Sequence, residues 1–232
     1  MNKGEMFSQK KHPKDVNDFY HIYNKSNILN VLYWNKYFEM VHDVEGSIVE
    51  CGVGRGRSMI TILALQQYYK ANLKRHVYAM DSFEGFPEPS IEDESWRDTK
   101  KGEWSKSPNN QFDYSVNNLK HILEKADLSS EDCTICKGFF DKSTKDLNVN
   151  KIAILHLDGD LYNSVKQPLD NLSNKVAING IIIIDDYSLN DENQSNEAFP
   201  GARRAVEEFL LDNTNFTIKE SVRGTPFLIR TR

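Results

Sequence analysis

Residues 181–186 read Ile-Ile-Ile-Ile-Asp-Asp, and this run, together with a similar run before it, decides the fold. Residues 152–160 read Ile-Ala-Ile-Leu-His-Leu-Asp-Gly-Asp, which is again an apolar segment that ends in acids. Segments that are apolar on both faces are typical of strands buried between two helix layers. The carboxyl ends of parallel strands meet at the edge where open α/β folds bind their ligands. The sequence therefore predicts four acids at that edge: Asp158, Asp160, Asp185 and Asp186.

Strands alternate with helices along the rest of the chain, which predicts a doubly wound, mostly parallel sheet. Further strands are expected at Ser47–Glu50, His76–Met80 and Thr134–Lys137, with a closing antiparallel pair at Phe216–Lys219 and Pro226–Ile229. Helices are expected at Ile28–Val41, Met59–Tyr69, Phe112–Ala126, Ser164–Leu172 and Ala202–Leu211. No shift in composition marks a linker, so residues 1–232 are predicted to form a single domain. Residues 1–45 are a helical extension to it, irregular over the first thirty residues.

The composition excludes several classes of protein. The net charge of -5 and the pI of ≈ 5.7 argue against a partner that is a nucleic acid. No apolar stretch reaches the roughly 20 residues of a membrane span, and no secretory signal follows the N-terminus. The 3 cysteines, an odd number, are expected to be reduced thiols, including the Cys133 and Cys136 pair. A cytoplasmic location is therefore expected.

A glycine-rich turn follows the first predicted strand. Gly52, Gly54 and Gly56 have the spacing G-x-G-x-G, not the G-x-G-x-x-G that binds a dinucleotide pyrophosphate. Glu50 comes directly before the turn. An acid in that place favours a ligand that has no phosphates and carries a cationic amino acid portion. S-adenosylmethionine is such a ligand.

Asp81 ends the second predicted strand and is followed by Ser82. An acid at this position of a nucleotide-binding βαβ unit accepts hydrogen bonds from ribose hydroxyls. The alternative interpretation is that Asp81 is a helix cap or a turn residue.

The four acids after the two apolar runs need a chemical explanation, because crowded carboxylates raise one another's pKa and destabilise a fold. Mg²⁺ prefers oxygen ligands, and a bound cation can orient a substrate hydroxyl and promote loss of its proton. A carboxylate left free could accept that proton as a general base. The alternative is that these acids only form turns and caps. His156, two residues before Asp158, is interpreted as a buried, hydrogen-bonded histidine.

Residues 88–111 contain Pro, Ser, charged residues and two tryptophans between predicted regular elements. A connection of this length is often a lid or a substrate-binding loop, and the alternative is a disordered surface loop. Arg203 and Arg204 follow the acids in a predicted helix, where they could contact a substrate or only form a solvated face.

Several motifs together resemble the metal-dependent sugar O-methyltransferases of the macrocin and mycinamicin type, which act on deoxysugars of macrolide and aminocoumarin antibiotics. The resemblance runs from about residue 26 to the end of the chain. The matching segments are residues 44–56, 81–87, 138–140, 155–164, 184–187 and 201–206. The His-x-Asp-x-Asp-x-Tyr segment at 156–162, paired with Asp-Asp-Tyr at 185–187, is the specific part.

The resemblance implies a Rossmann-like class I S-adenosylmethionine-dependent methyltransferase fold and a role for each matching residue. Asp158, Asp185 and Asp186 resemble the Mg²⁺ ligands, and Asp160 resembles the catalytic general base. The residues similar to the S-adenosylmethionine pocket are Glu50, Gly52, Val53, Gly56, Ser58, Asp81, Ser82, Gly138, Phe139 and Phe140. Tyr187, Arg203 and Arg204 are candidates for contacts with the substrate. The family also suggests a homo-oligomer.

The function expected from the sequence is methyl transfer from S-adenosylmethionine to a sugar hydroxyl, with Mg²⁺ as a second cofactor. The acceptor could be a natural-product glycoside, a surface polysaccharide or a glycolipid precursor. Two alternatives stay open: an NAD-dependent oxidoreductase on a Rossmann fold, and a catalytically silent protein that binds S-adenosylmethionine.

Overall fold

The two apolar runs form neighbouring parallel strands within a seven-stranded mixed sheet. The computed structural model describes residues 24–69, 75–107, 113–189 and 197–232. The strands in these ranges are β1 (Ser47–Cys51), β2 (Val77–Asp81), β3 (Thr134–Lys137), β4 (Ile152–Leu157), β5 (Val176–Ile184), β6 (Phe216–Glu220) and β7 (Pro226–Arg230). Their order across the sheet is β3-β2-β1-β4-β5-β7-β6. Strands β1 to β5 are parallel, and β7 is antiparallel to β5 and β6, which confirms the predicted doubly wound sheet.

Helices pack on both faces of this sheet. They are α1 (Lys25–Met40), α2 (Arg57–Tyr69), α3 (Val116–Lys125), α4 (Phe140–Asp146), α5 (Tyr162–Leu172) and α6 (Pro200–Asp212). On β4, Ile154 packs into the core with α1, α2 and α3, whereas Leu155 packs into the opposite core with α5 and α6. Each fully buried side chain of this kind stabilises the fold by about 1.5–3 kcal/mol. The runs are apolar on both faces because each face of the strand meets its own core.

Two helix starts and one additional helix show where the structure departs most from the sequence prediction. Helix α3 begins at Val116 and not at Phe112, because the Ser115 side chain accepts the backbone N–H of Asn118 at 3.2 Å and caps the helix there. Asp113 instead forms a bridge with Lys106, and Phe112 lies outside the described residues. Residues 25–30 are helical and not irregular, because Asn24 caps α1. Helix α4 was not predicted, since its seven polar-rich residues show no apolar period.

The segment after β2 lies against the carboxyl edge of the sheet over residues 88–107, whereas residues 108–111 lie outside the described ranges. It contains one turn of 3₁₀ helix at Ile91–Asp93. The buried Asp93 carboxylate accepts the backbone N–H of Ser90 at 2.8 Å and that of Tyr162 at 2.7 Å. Gly201 lies so close that a Cβ there would be 1.9 Å from Asp93 Oδ1. This anchor connects the segment to α5 and α6.

Residues 1–23 lie outside the described residues, so the predicted N-terminal extension is seen only from residue 24 onward. Within the described ranges, none of the helices combines the length and the apolar character that crossing a bilayer requires.

Candidate active site

A cavity of about 970 Å³ opens at the carboxyl edge of the sheet. The adjacent strands β1 and β4 reverse the order of the sheet, and open α/β folds bind ligands at such a switch point. The loops that follow β1, β2, β4 and β5 line the cavity, with further walls from α1 and from the turn between β6 and β7.

The glycine turn after β1 forms one end of the cavity. A Cβ on Gly52 would be 1.7 Å from the carbonyl oxygen of Asp158, so only glycine fits where the turn passes the end of β4. The backbone N–H groups of Val53 and Gly54 donate to Asp81 Oδ2 at 2.9 and 3.0 Å, and that of Phe83 donates to Oδ1 at 2.7 Å. Asp81 therefore holds the turn in place and also faces the cavity. Asp81 is thus a turn residue, and its contact with a ribose stays a prediction.

Glu50 and His156 form a buried pair beneath the turn, on neighbouring strands in register. Glu50 is 0% exposed, and its Oε1 lies 3.2 Å from Nδ1 of His156. The other carboxylate oxygen, Oε2, is buried without a hydrogen-bond partner in the described part of the chain. His156 is buried and hydrogen-bonded, as predicted, and it also lines the cavity. A carboxylate with one unpaired buried oxygen can accept a donor from a cationic ligand.

Carboxylates form the wall beside the glycine turn. Asp158, Asp160 and Asp186 each offer an oxygen, and these three atoms lie within 4.8 Å of one another. The backbone N–H of Asp160 donates to Asp186 Oδ2 at 3.1 Å, which fixes the two loops relative to each other. An all-oxygen set of this kind suits a hard cation such as Mg²⁺.

Burial and mutual repulsion change the acidity of this cluster. Burial and the neighbouring Asp186 carboxylate raise the pKa of Asp158 well above its usual range. The same two causes raise the pKa of Asp160. Burial and Asp185 raise the pKa of Asp186 to about 7. Ionising these acids therefore costs free energy, and a bound cation would reduce that cost.

Asp185 lines the same cavity but points to a different partner. Its Oδ1 lies 3.5 Å from Nη1 of Arg223, in the turn between β6 and β7. Nη2 of Arg223 donates to Asn30 Oδ1 at 2.8 Å, and the guanidinium lies 3.8 Å from the ring centre of Tyr33. Helix α1 and the β6–β7 turn are thus joined at the edge of the acid cluster.

The predicted site residues divide into two groups. Those that line the cavity are Gly52, Val53, Ser58, Asp81, Ser82, Phe139, Phe140, Asp158, Asp160, Asp185 and Asp186. Those that lie outside its lining are Glu50, Gly56, Gly138, Tyr187, Arg203 and Arg204.

The second group has other contacts. Gly56 faces α3, and the backbone N–H of Gly138 donates to the carbonyl of Asp81 at 2.9 Å. Tyr187 is buried in the core with α5 and α6. Arg203 donates from Nε to Glu197 Oε2 at 2.8 Å and also pairs with Glu207. The side chain of its neighbour Arg204 is exposed.

Sequence reasoning missed a group of cavity residues contributed by distant elements. These are Asn30, Tyr33 and Trp34 from α1, Trp104 from the segment after β2, and Arg223 from the β6–β7 turn. Only the two tryptophans in residues 88–111 gave a signal, because aromatic residues in a long loop suggest ligand contact. Nothing local in the sequence marks the others as cavity residues.

A doubly wound sheet with its cavity at the switch point, an acid-led glycine turn and clustered acids define the class I S-adenosylmethionine-dependent methyltransferase fold. Solved structures agree with this classification. The chain belongs to the family described as Macrocin-O-methyltransferase (TylF), whose family profile matches residues 35–214.

Two solved structures are similar over most of the chain. The O-methyltransferase NovP has a TM-score of 0.69 and 26% identity, covering 90% of this chain and 80% of that one. The calicheamicin methyltransferase CalS11 has a TM-score of 0.75 and 20% identity, covering 98% of this chain and 90% of that one.

Two relatives are similar in sequence. Demethyldecarbamoylnovobiocin O-methyltransferase of Streptomyces niveus is 27% identical over 168 residues, which cover 72% of this chain and 59% of the relative. Mycinamicin III 3''-O-methyltransferase of Micromonospora griseorubida is 25% identical over 166 residues, which cover 72% of this chain and 61% of the relative. The chain thus spans about three fifths of the length of these relatives.

Proposed function

We propose that this protein transfers a methyl group from S-adenosylmethionine to a hydroxyl group of a sugar, with Mg²⁺ as a second cofactor. One observation carries the proposal: the glycine turn and the four acids line the same cavity. The acids are Asp158, Asp160, Asp185 and Asp186. A methyl donor on the turn and a hydroxyl beside the acids would be held next to each other there. Holding two reactants in line contributes about 7–11 kcal/mol to such a reaction.

The cofactor half of the proposal rests on Glu50 and Asp81. The unpaired Oε2 of Glu50 suits the ammonium group of the methionine portion. Asp81 uses three backbone N–H contacts, and a carboxylate has about four acceptor sites, so it keeps capacity for a ribose hydroxyl. Phe139 and Phe140 give this end of the cavity an apolar wall for the adenine. Gly56 and Gly138 lie outside the cavity lining. Gly56 faces α3, and the backbone N–H of Gly138 donates to the carbonyl of Asp81.

The acid half of the proposal rests on the chemistry of the donor set. Asp158, Asp185 and Asp186 would hold the ion, since all three line the cavity and two belong to the cluster of close oxygens. When bound, a divalent cation offsets the repulsion within the cluster and makes a nearby hydroxyl more acidic. Asp160 would accept the hydroxyl proton, because burial and Asp186 raise its pKa and so strengthen it as a base.

The proposed acceptor is a sugar or glycoside, in keeping with the names of the relatives. CalS11 is described as a TDP-rhamnose 3'-O-methyltransferase, and the names of the two relatives describe methyl transfer to demethyldecarbamoylnovobiocin and to mycinamicin III. Residues 88–107 are proposed as the substrate loop, because Trp104 and other residues of that range line the cavity. Arg203 and Arg204 are not placed among the proposed substrate contacts, since Arg203 pairs with glutamates away from the cavity. The proposed protein is cytoplasmic and forms a homo-oligomer. Light scattering tests the oligomeric state, with an expected mass that is a multiple of 26.8 kDa.

Calorimetric titration tests the proposal against its main rival, an NAD-dependent oxidoreductase. We expect S-adenosylmethionine to bind and NAD to give no heat of binding, because the turn is led by an acid and lacks the dinucleotide spacing. Mg²⁺ should bind in a separate titration and be removed by chelator. Tight binding of NAD without binding of S-adenosylmethionine would reject the proposal. Cofactor binding without methylation of any sugar tested would favour the catalytically silent alternative.

A further inference from the structure

We propose that Trp104 is an acceptor-binding residue, and that the apolar face of a pyranose ring stacks on its indole. The inference rests on the proposed function and adds to it a contact from the segment at residues 88–107. Trp104 lines the cavity and is 54% exposed, so one face of its ring is open to a ligand. Large exposed aromatic side chains on a cavity wall are typical of binding surfaces.

The backbone of Trp104 provides an independent observation. Its φ is 61°, in the left-handed region that non-glycine residues with bulky side chains rarely adopt. Such a conformation is unfavourable and persists only where the surrounding structure imposes it, which is common at ligand sites. Here the imposed conformation presents the indole to the cavity.

The neighbours of Trp104 hold the indole in one orientation. The rings of Phe86 and Phe199 lie 5.4 and 6.1 Å from it, centre to centre. The backbone N–H of Phe86 donates to the carbonyl of Glu103 at 3.0 Å, and that of Gly102 donates to the carbonyl of Phe86 at 2.9 Å. The tryptophan is therefore fixed to the loop that directly follows β2.

Arg97 lies beside this aromatic group. Its guanidinium lies 5.6 Å from the Trp104 ring and 4.9 Å from the Phe199 ring, and Nη1 donates to Glu103 at 2.7 Å. Trp104 and the four acids line the same cavity, so a sugar stacked on the indole would share that cavity with the acid cluster.

The chemistry of the ligand follows from this arrangement. A pyranose has apolar C–H groups on one face and hydroxyl groups around its edge. The aromatic surface matches the face, and the carboxylates match the hydroxyl edge. A flat aromatic ligand such as phenol would also stack on the indole, but it lacks the several hydroxyl groups that a pyranose carries around its edge.

The experiment uses the full chain labelled with 5-fluorotryptophan and saturated with S-adenosylhomocysteine and Mg²⁺. Trp96 is the matched control, because it lies in the same segment, is 73% exposed and does not line the cavity. The chain has 3 tryptophans, so Trp96→Phe and Trp104→Phe variants assign two of the fluorine signals and leave the third to Trp34. The probes are methyl α-L-rhamnoside, methyl β-D-glucoside and dTDP-L-rhamnose, with open-chain sorbitol and with phenol for comparison.

We expect at least one glycoside probe to shift the Trp104 signal saturably and to leave the Trp96 signal unchanged. Its dissociation constant, from saturation-transfer NMR, should rise roughly tenfold in Trp104→Ala, less in Trp104→Phe, and not at all in Trp96→Ala. Ala and Phe meet the same backbone restriction at this position, so their difference reports on the ring alone. If Trp104→Ala does not fold, the shift of the Trp104 signal in the wild type and the sugar affinity of Trp104→Phe still test the inference.

Three results would overturn the inference. They are the absence of a Trp104 shift with every glycoside, equal sugar affinity in Trp104→Ala and Trp96→Ala, and a shift with phenol alone. Failure of S-adenosylhomocysteine to bind the wild-type protein would instead contradict the proposed function, so the two failures are distinguishable.

Discussion

At the scale of single residues, the site is a set of buried acids whose charges lack full compensation within the described chain. Glu50 shows this most clearly, because its Oε2 is buried without a partner beneath the glycine turn. Uncompensated buried charge lowers the stability of the free protein and is available for a ligand.

We therefore expect Glu50→Gln to weaken S-adenosylmethionine binding at least about tenfold without lowering the melting temperature of the free protein. The substitution preserves shape and removes the charge that a cationic ligand group would pair with. Calorimetry measures the affinity, and differential scanning fluorimetry measures the stability. Glu45→Gln is the matched control, since Glu45 is exposed and pairs with Lys151. Equal cofactor affinity in both variants would show that Glu50 does not contribute to cofactor binding.

Asp160→Asn should lower the rate of methyl transfer by about 10²–10⁴-fold, the usual contribution of a general base. Cofactor affinity should be nearly unchanged, because Asp160 lies with the acids and not on the glycine turn. Transfer of a labelled methyl group from S-adenosylmethionine measures the rate, with Asp170→Asn on the exposed face of α5 as control. Normal turnover in Asp160→Asn would assign the base elsewhere.

The raised pKa of Asp186 predicts how stability depends on pH. Its pKa is about 7 in the folded protein, above the ordinary value of 3.8, so the folded state binds this proton more tightly. The resulting stabilisation is complete below the ordinary pKa and is lost as pH rises through the folded value.

In chelator, the melting temperature of the wild type should consequently fall relative to Asp186→Asn between about pH 4 and pH 7. Scanning calorimetry at several pH values measures the difference, and adding Mg²⁺ should reduce it. Parallel curves for the two proteins across this range would show that Asp186 does not titrate there.

At the scale of elements, the buried carboxylate of Asp93 anchors the segment at residues 88–107 to α5. Asp93→Ala should release the segment from α5, raise KM for the acceptor about tenfold and leave cofactor binding intact. It should also make the segment more sensitive to limited proteolysis. The exposed Glu94→Ala is the control. Unchanged acceptor KM in Asp93→Ala would show that the segment does not form part of the substrate site.

Elements that carry a strong pattern could be predicted from the sequence, and elements set by single side-chain contacts could not. The strand Ile152–Leu157 was predicted with its observed bounds, because two cores require apolar residues on both its faces. The start of α3 was wrong by four residues, since a side-chain cap at Ser115 ends the loop there. Helix α4 gave no signal, because only Thr144 among its seven residues is buried.

At the scale of the whole molecule, the sheet order brings together residues that the sequence keeps far apart. Strands β1 and β4 are neighbours although about a hundred residues separate them, so the glycine turn lies beside Asp158. The acids at strand ends could be predicted, because every parallel strand ends at the same edge. Arg223 and Asn30 could not, because their place beside Asp185 depends on how α1 and the β6–β7 turn pack.

The central claim is that one cavity holds S-adenosylmethionine on the glycine turn and a divalent cation on the neighbouring acids. A crystal structure with S-adenosylhomocysteine and Mn²⁺, with anomalous data collected to locate the metal, tests this most directly. We predict ligand density along Gly52 to Ser58. We also predict one anomalous peak, which marks a Mn²⁺ ion coordinated by Asp158, Asp185 and Asp186. Cofactor density elsewhere, or acids without an anomalous peak in the presence of excess Mn²⁺, would contradict the account.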